Sequence, residues 1–124
     1  MNKAQAIHNF WSSFDLLAID ENSAYDEQND LPSEYITYEV QTANIGEPVA
    51  ITASLWYKST KWAEITQKAD EIAAYIGYGG KVIPIDGGYM WVKLGSPFSQ
   101  RMAVEDDVIR RIILNINVDF LTAT

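Results

Sequence analysis

Apolar residues recur at three- and four-residue steps near the start of the chain. Ile7, Phe10, Trp11, Phe14, Leu17 and Ala18 would share one face of a helix from Lys3 to about Ala18. The period then changes. Tyr35–Gln41 and Val49–Tyr57 alternate and are rich in β-formers, with Val49, Ile51, Ala53, Leu55 and Tyr57 on one side. These read as two strands of an antiparallel hairpin joined through residues 42–48. The helical period returns in Trp62, Ile65, Ala69, Ile72, Ala73 and Ile76. Ser59 or Thr60 stands where a cap is expected, Glu64 sits at the positive end, and Gly77 follows as a stop. Lys81–Ile85 and Tyr89–Leu94 read as a second hairpin around Asp86-Gly87-Gly88. Pro84 cannot donate to a ladder, so its strand belongs at an edge or is broken there. Residues 95–107 contain Gly95 and Pro97 and read as a long loop. In the last element, Val108–Leu121, Ile112, Leu114, Ile116, Val118 and Phe120 face one way and Arg111, Asn115, Asn117 and Asp119 the other.

The order is α-β-β-α-β-β-β in a single domain spanning residues 1–124. The expected fold class is α+β: an antiparallel or mixed sheet of about five strands with two main helices packed on one face. With 48% hydrophobic residues in 124, a core can form without disulfide or metal.

Composition narrows the chemistry. The chain has no Cys, which excludes a disulfide framework, thiolate metal ligation and a Cys nucleophile. His8 is its one histidine, so a Ser-His-Asp relay or an imidazole metal site would have to use it. It lies at the edge of the first helix's apolar face and reads as a boundary residue. The net charge of -8 argues against binding nucleic acid and against docking on anionic lipid. The N-terminus is amphipathic, unlike a secretion signal, and the expected setting is a reducing cytoplasm.

Residues 20–34 carry Asp20, Glu21, Asp26, Glu27, Asp30 and Glu34 without one Lys or Arg. Asp26, Gln28 and Asp30 have the opening rhythm of a calcium loop, but no Gly follows and Pro32 falls inside, so a solvated acidic loop is expected. Gly77–Lys81 lacks the ending of a phosphate loop and follows a helix instead of preceding one. No pair among the seventeen acids is singled out for acid–base work. No catalytic residue, metal ligand or cofactor is therefore assigned. Trp56, Tyr57 and Trp62 gather at a strand-to-helix junction, and Tyr89 and Trp91 share a strand face; these are expected mainly in the core. Phe98, Arg101 and Met102 in the 95–107 loop, with Asn44, Ile45 and Glu47 at the first hairpin tip, are the candidate protein contacts.

Leu55-Trp56-Tyr57-Lys58-Ser59 running into Trp62-Ala63-Glu64-Ile65-Thr66-Gln67-Lys68-Ala69-Asp70-Glu71-Ile72 resembles the strand-into-helix element of tail terminator, or tail completion, proteins of long-tailed bacteriophages. The order of elements up to a closing strand at 110–120 is similar as well. The 20–34 and 95–107 insertions depart from that pattern. The resemblance implies a virion structural subunit with no enzymatic activity, closing into a hexameric ring at the head-proximal end of the tail and joining tail to head. It implies as partners further copies of itself, the major tail tube protein and the head connector or stopper protein. It places the protein in the virion tail, assembled in the bacterial host cytoplasm. The competing expectation is an acidic inhibitor that mimics nucleic acid, or another neck or minor tail protein. A small hydrolase is disfavoured by the missing Cys and the solitary His8.

Overall fold

The computed structural model describes residues 1–22 and 31–123. It contains α1 (Lys3–Ser12), β1 (Leu17–Asp20), β2 (Glu34–Tyr38), β3 (Val49–Lys58), α2 (Ala63–Ile76), β4 (Lys81–Ile85), β5 (Gly88–Met102) and β6 (Ile109–Thr122). The strands form one sheet in the order β1-β2-β3-β6-β5-β4. The β1–β2 pair is parallel and all others are antiparallel, so the fold is α+β with a mixed sheet of six strands.

The hairpin of β2 and β3 and the helix α2 match the sequence pattern. So does the long β6, whose odd and even positions separate cleanly. Ile112, Leu114, Ile116, Val118 and Phe120 are buried, together with Ile51, Ala53, Leu55 and Tyr57 on β3. The two helices cover this face with Ala6, Ile7, Phe10 and Trp11 from α1 and Ile65, Ala69, Ile72 and Ile76 from α2. Phe10 meets Tyr75 across the helix pair at 6.2 Å. α1 touches both β1 and β4, the opposite edges of the sheet, so the sheet curls around that helix. Pro84 sits on the edge strand β4, as its missing N–H requires.

The strand expected over Tyr35–Gln41 runs Glu34–Tyr38, and three larger departures change the layout. The first helix ends at Ser12, well short of Ala18. Ser13 bonds the Phe10 carbonyl through both its N–H and its hydroxyl, and Asp15 takes φ 60°, a left-handed conformation that Asp tolerates. The chain turns there, and Leu17–Asp20 becomes the sixth strand. Helical and strand spacing coincide over so short a stretch, which hid the change. Second, neither Ser59 nor Thr60 caps α2. Ser59 Oγ accepts from the Lys61 N–H at 3.0 Å in the turn before it, and Trp62 occupies the cap position with no side-chain cap. Third, residues 95–102 are not loop but the second half of β5. Pairing steps from Leu94↔Ile116 to Ser99↔Leu114, so 95–98 bulge opposite Asn115. The Asn115 amide donates to the Pro97 carbonyl at 3.0 Å and holds the bulge in place. The connection to β6 is only 103–108. The central part of the acidic segment, with the calcium rhythm at Asp26, Gln28 and Asp30, lies outside the described residues.

Two stability predictions follow from this packing. Trp11 is fully buried between the helices and the sheet, so Trp11→Ala should cost ~3–5 kcal/mol in urea unfolding. At Gly95 a Cβ would stand 2.6 Å from the Asn115 carbonyl oxygen. Gly95→Ala must displace backbone of the central strand and should cost ~1–3 kcal/mol by the same measurement. A cost near zero would mean that the bulge is not fixed against Asn115.

Candidate functional site

Five of the six candidate contact residues fall into two groups at opposite ends of the sheet. The 42–48 loop sits where β3 begins and β6 ends. The Ile45 N–H donates to the Thr122 carbonyl, Lys3 Nζ donates to the Ala43 carbonyl at 2.7 Å and to Asn44 Oδ1 at 3.2 Å, and the Met1 amine pairs with Asp86 at 2.9 Å. These bonds gather the start of α1, the 42–48 loop and the β4–β5 turn into one tip. Gly46, at φ 84°, lets the loop reverse there. Ile45 is 62% exposed on this tip, and the Glu47 carboxylate has no partner among the described residues.

The other end is built from the end of β5, the start of β6, the end of β3 and the turn into α2. Arg101 pairs with Ile112 in register, and its guanidinium lies 4.7 Å from the centre of the Trp62 ring. Arg110 approaches the same ring at 5.4 Å while donating to the carbonyls of Asp107, Ile109 and Thr60. Met102 is half-buried beside Arg111. Phe98 belongs to neither tip. It sits in the bulge, half-buried and packed against the core. The exposed loop side chain expected from the sequence is therefore an accessory core residue.

The sheet face away from the helices carries residues that the sequence pattern did not join. Trp56, Tyr57 and Trp62 do not form one cluster, because alternation sends Trp56 and Tyr57 to opposite faces. Trp56 stacks on Tyr35 at 6.3 Å, donates to Thr37 Oγ1 and lies under the Arg111 guanidinium at 4.6 Å. Arg111 also donates through Nε and Nη2 to the buried Ser54 hydroxyl. Further along the face, Lys93 pairs with Asp119 and covers Trp91 at 4.4 Å. Tyr89 is 51% exposed beside Leu121. Tyr89 and Trp91 do share a face, as their spacing requires, but it is the one no helix covers. The signal for this surface was present in the residues opposite the apolar set on β3 and β6.

Two grooves remain. His8 lies in an open groove of ≈ 570 Å³ with Met1, Ala4, Gln5, Asn9, Asp20, Tyr38 and Val40. Its Nδ1 is 2.6 Å from the Tyr38 hydroxyl and its Nε2 3.3 Å from Ser12 Oγ. Burial, and then the charge of Asp20, raise the Tyr38 pKa. The group orienting the imidazole is thus a neutral phenol, which cannot supply the negative charge that stabilises an imidazolium in a Ser-His-Asp relay. The second groove, ≈ 740 Å³, runs along α2 and is lined by Glu34, Tyr57, Glu64, Gln67, Lys68, Asp70 and Glu71. Among the described residues no three His, Asp or Glu side chains are placed to hold a metal ion, and no helix is long and apolar enough to cross a membrane. The Gly77–Lys81 segment is a helix stop and turn, with Gly77 bonding back to Ala73. A scan against protein-family models and searches of curated proteins and solved structures find no match to this chain.

Tyr57 gives the α2 groove a measurable signature. Burial first, then the charges of Glu34, Glu64 and Glu71, push its pKa up to about 12. A phenol whose folded-state pKa is raised contributes stability that is complete below its ordinary value of 10 and is lost as pH rises through about 12. The urea midpoint should therefore fall between pH 10 and 12, and fall less steeply in Tyr57→Phe. Identical slopes in the two proteins would remove Tyr57 as the cause.

Proposed function

We propose that this chain is a structural virion subunit, a tail terminator or tail completion protein that forms a ring at the head-proximal end of a phage tail and joins tail to head. The observation that carries this reading is the uncovered sheet face. Two helices cover one side of a six-stranded sheet, while the other presents Tyr35, Trp56, Tyr89, Trp91, Ile113 and Leu121 among Arg111, Lys93 and Asn117. Tyr89 is exposed there, and Tyr35, Trp56, Trp91 and Arg111 are partly exposed. Aromatic and arginine side chains on a rigid sheet suit protein–protein contact. The resemblance in 55–72 and in the order of elements supports a ring subunit in particular. Its partners in this reading are its own copies, the tail tube protein and the head connector or stopper protein, with no enzymatic step, membrane contact or specific nucleic-acid binding. Phe98, Arg101, Met102, Asn44, Ile45 and Glu47 remain candidate contacts, Phe98 through the bulge it anchors.

A second reading has its own observation. Glu34, Glu64, Asp70 and Glu71 line one groove on a structured face, as a protein mimicking phosphates to an enzyme would need. Light scattering coupled to size-exclusion chromatography, with negative-stain images, separates the two. Concentration-dependent assembly, rings, or binding to isolated tail tubes supports the virion subunit. A fixed monomer that ignores tail tubes and blocks a nuclease supports the inhibitor and ends the first reading. Tyr89→Ser should leave stability within about 0.5 kcal/mol, as exposed substitutions do, while weakening assembly. Unchanged assembly would remove this part of the face from the interface.

A further inference from the structure

We propose that the groove along α2 is a binding site for an alkyl ammonium ligand of more than one charge, supplied as a free polyamine or as the lysine side chains of a peptide. Two elements build the site. Glu34 opens β2 directly opposite Tyr57 near the end of β3, and Glu64, Lys68 and Glu71 recur at helical steps on the stripe of α2 that lines the same groove. Glu64 and Glu71 stand roughly 10 Å apart along the axis at the usual helical rise. The carboxylates are thus strung out in a line, as the charges of a linear amine are. Their charges are not balanced within the groove: Glu34, Glu64, Asp70 and Glu71 share its ≈ 740 Å³ with one ammonium, that of Lys68. Glu64 to Lys68 is the spacing and order that favours an ion pair. Lys68 Nζ turns instead to the Phe14 carbonyl at 3.0 Å and to Glu71 at 2.7 Å. Among the described residues Glu34, Glu64 and Asp70 have no ion pair.

Tyr57 separates this groove from a merely acidic patch. The residue is 3% exposed and its ring belongs to the core, yet its hydroxyl bonds to no group among the described residues. It lines the groove, within reach of the charges of Glu34, Glu64 and Glu71. A buried hydroxyl left without a partner costs free energy that an incoming donor would recover. With its pKa pushed up to about 12, the phenol stays neutral and can accept from an ammonium while donating to a carboxylate. Lys68 shows the mode of capture, an ammonium held between a main-chain carbonyl and a carboxylate. A metal ion fits less well, because among the described residues no three acidic or histidine side chains converge to hold one.

The test is a titration of the isotope-labelled full chain, followed by amide chemical shifts at neutral pH and constant ionic strength. Its three arms are spermidine, a tri-lysine peptide amide and Mg²⁺ alone. Spermidine or tri-lysine should saturate, with shifts confined to Glu34, Tyr57 and residues 64–71, and the tighter of the two names the source. Tyr57→Phe removes only the unpartnered oxygen and should weaken binding about tenfold. Glu34→Gln and Glu64→Gln should weaken it about threefold each, while Glu21→Gln, outside the groove, should leave it unchanged. Failure of both amines to saturate, shifts spread over the acidic residues of the whole chain, an equal response to Mg²⁺, or an affinity indifferent to Tyr57→Phe overturns the inference. Assembly into rings is a separate measurement, and either result here leaves the ring reading standing.

Discussion

The pairing of β6 on both of its edges is the constraint from which the rest of the architecture follows. It hydrogen-bonds β3 along Ile109–Val118 and β5 along Arg111–Thr122. Its inward residues, Ile112 to Phe120, supply the floor on which both helices rest. Because side chains alternate strictly along a strand, the same pairing that buries five apolar residues also presents Arg111, Ile113, Asn115, Asn117 and Asp119 on the far side. A one-residue slip would exchange the two sets. The buried face therefore fixes the register, and the register fixes which polar and aromatic side chains meet on the open face. The stack of Arg111 on Trp56 and the pairing of Lys93 with Asp119 are consequences of where the core sits.

The bulge in β5 works within that frame. Four residues, 95–98, stand opposite Asn115, and past them the strand resumes with Ser99 and Arg101 on the helix-covered side. Arg101 then reaches Trp62 at the start of α2. The bulge thus ties a sheet irregularity to the composition of one tip, while its own Phe98 is spent on packing. At the other tip, ordering comes from the N-terminus: Lys3 at the start of α1 holds the 42–48 loop, and the Met1 amine before it holds the β4–β5 turn. Both surfaces are carried by the ends of long, well-packed elements, which places exposed loops on a stiff support.

The functional conclusion rests on surfaces. The histidine is oriented by a phenol, and the acidic groove along α2 is open to solvent on a helix face. The face and tips carry partly exposed aromatic and arginine side chains, together with the exposed aliphatic side chains of Ile45 and Val108. Surfaces of that kind are commonly completed by another polypeptide.

Most of the fold was legible in the residues. The 3.6-residue stripe of α2, the alternation of β3 and β6, and the turn at Asp86-Gly87 each follow from local pattern, because each such element buries one face and exposes the other. The location of Ile45 and Glu47 at a tip was equally local. What the chain alone did not reveal depends on contacts between distant residues. Leu17–Asp20 is a strand because Tyr35–Tyr38 stands beside it, and 95–102 continues β5 because Asn115 and Ile112 accept it across the ladder. Trp56 and Trp62, six positions apart, face different surroundings because the sheet lies between them. Gathering the three arginines at one tip required β3, β5, β6 and the start of α2 to end at the same height, a fact of register that no local spacing encodes.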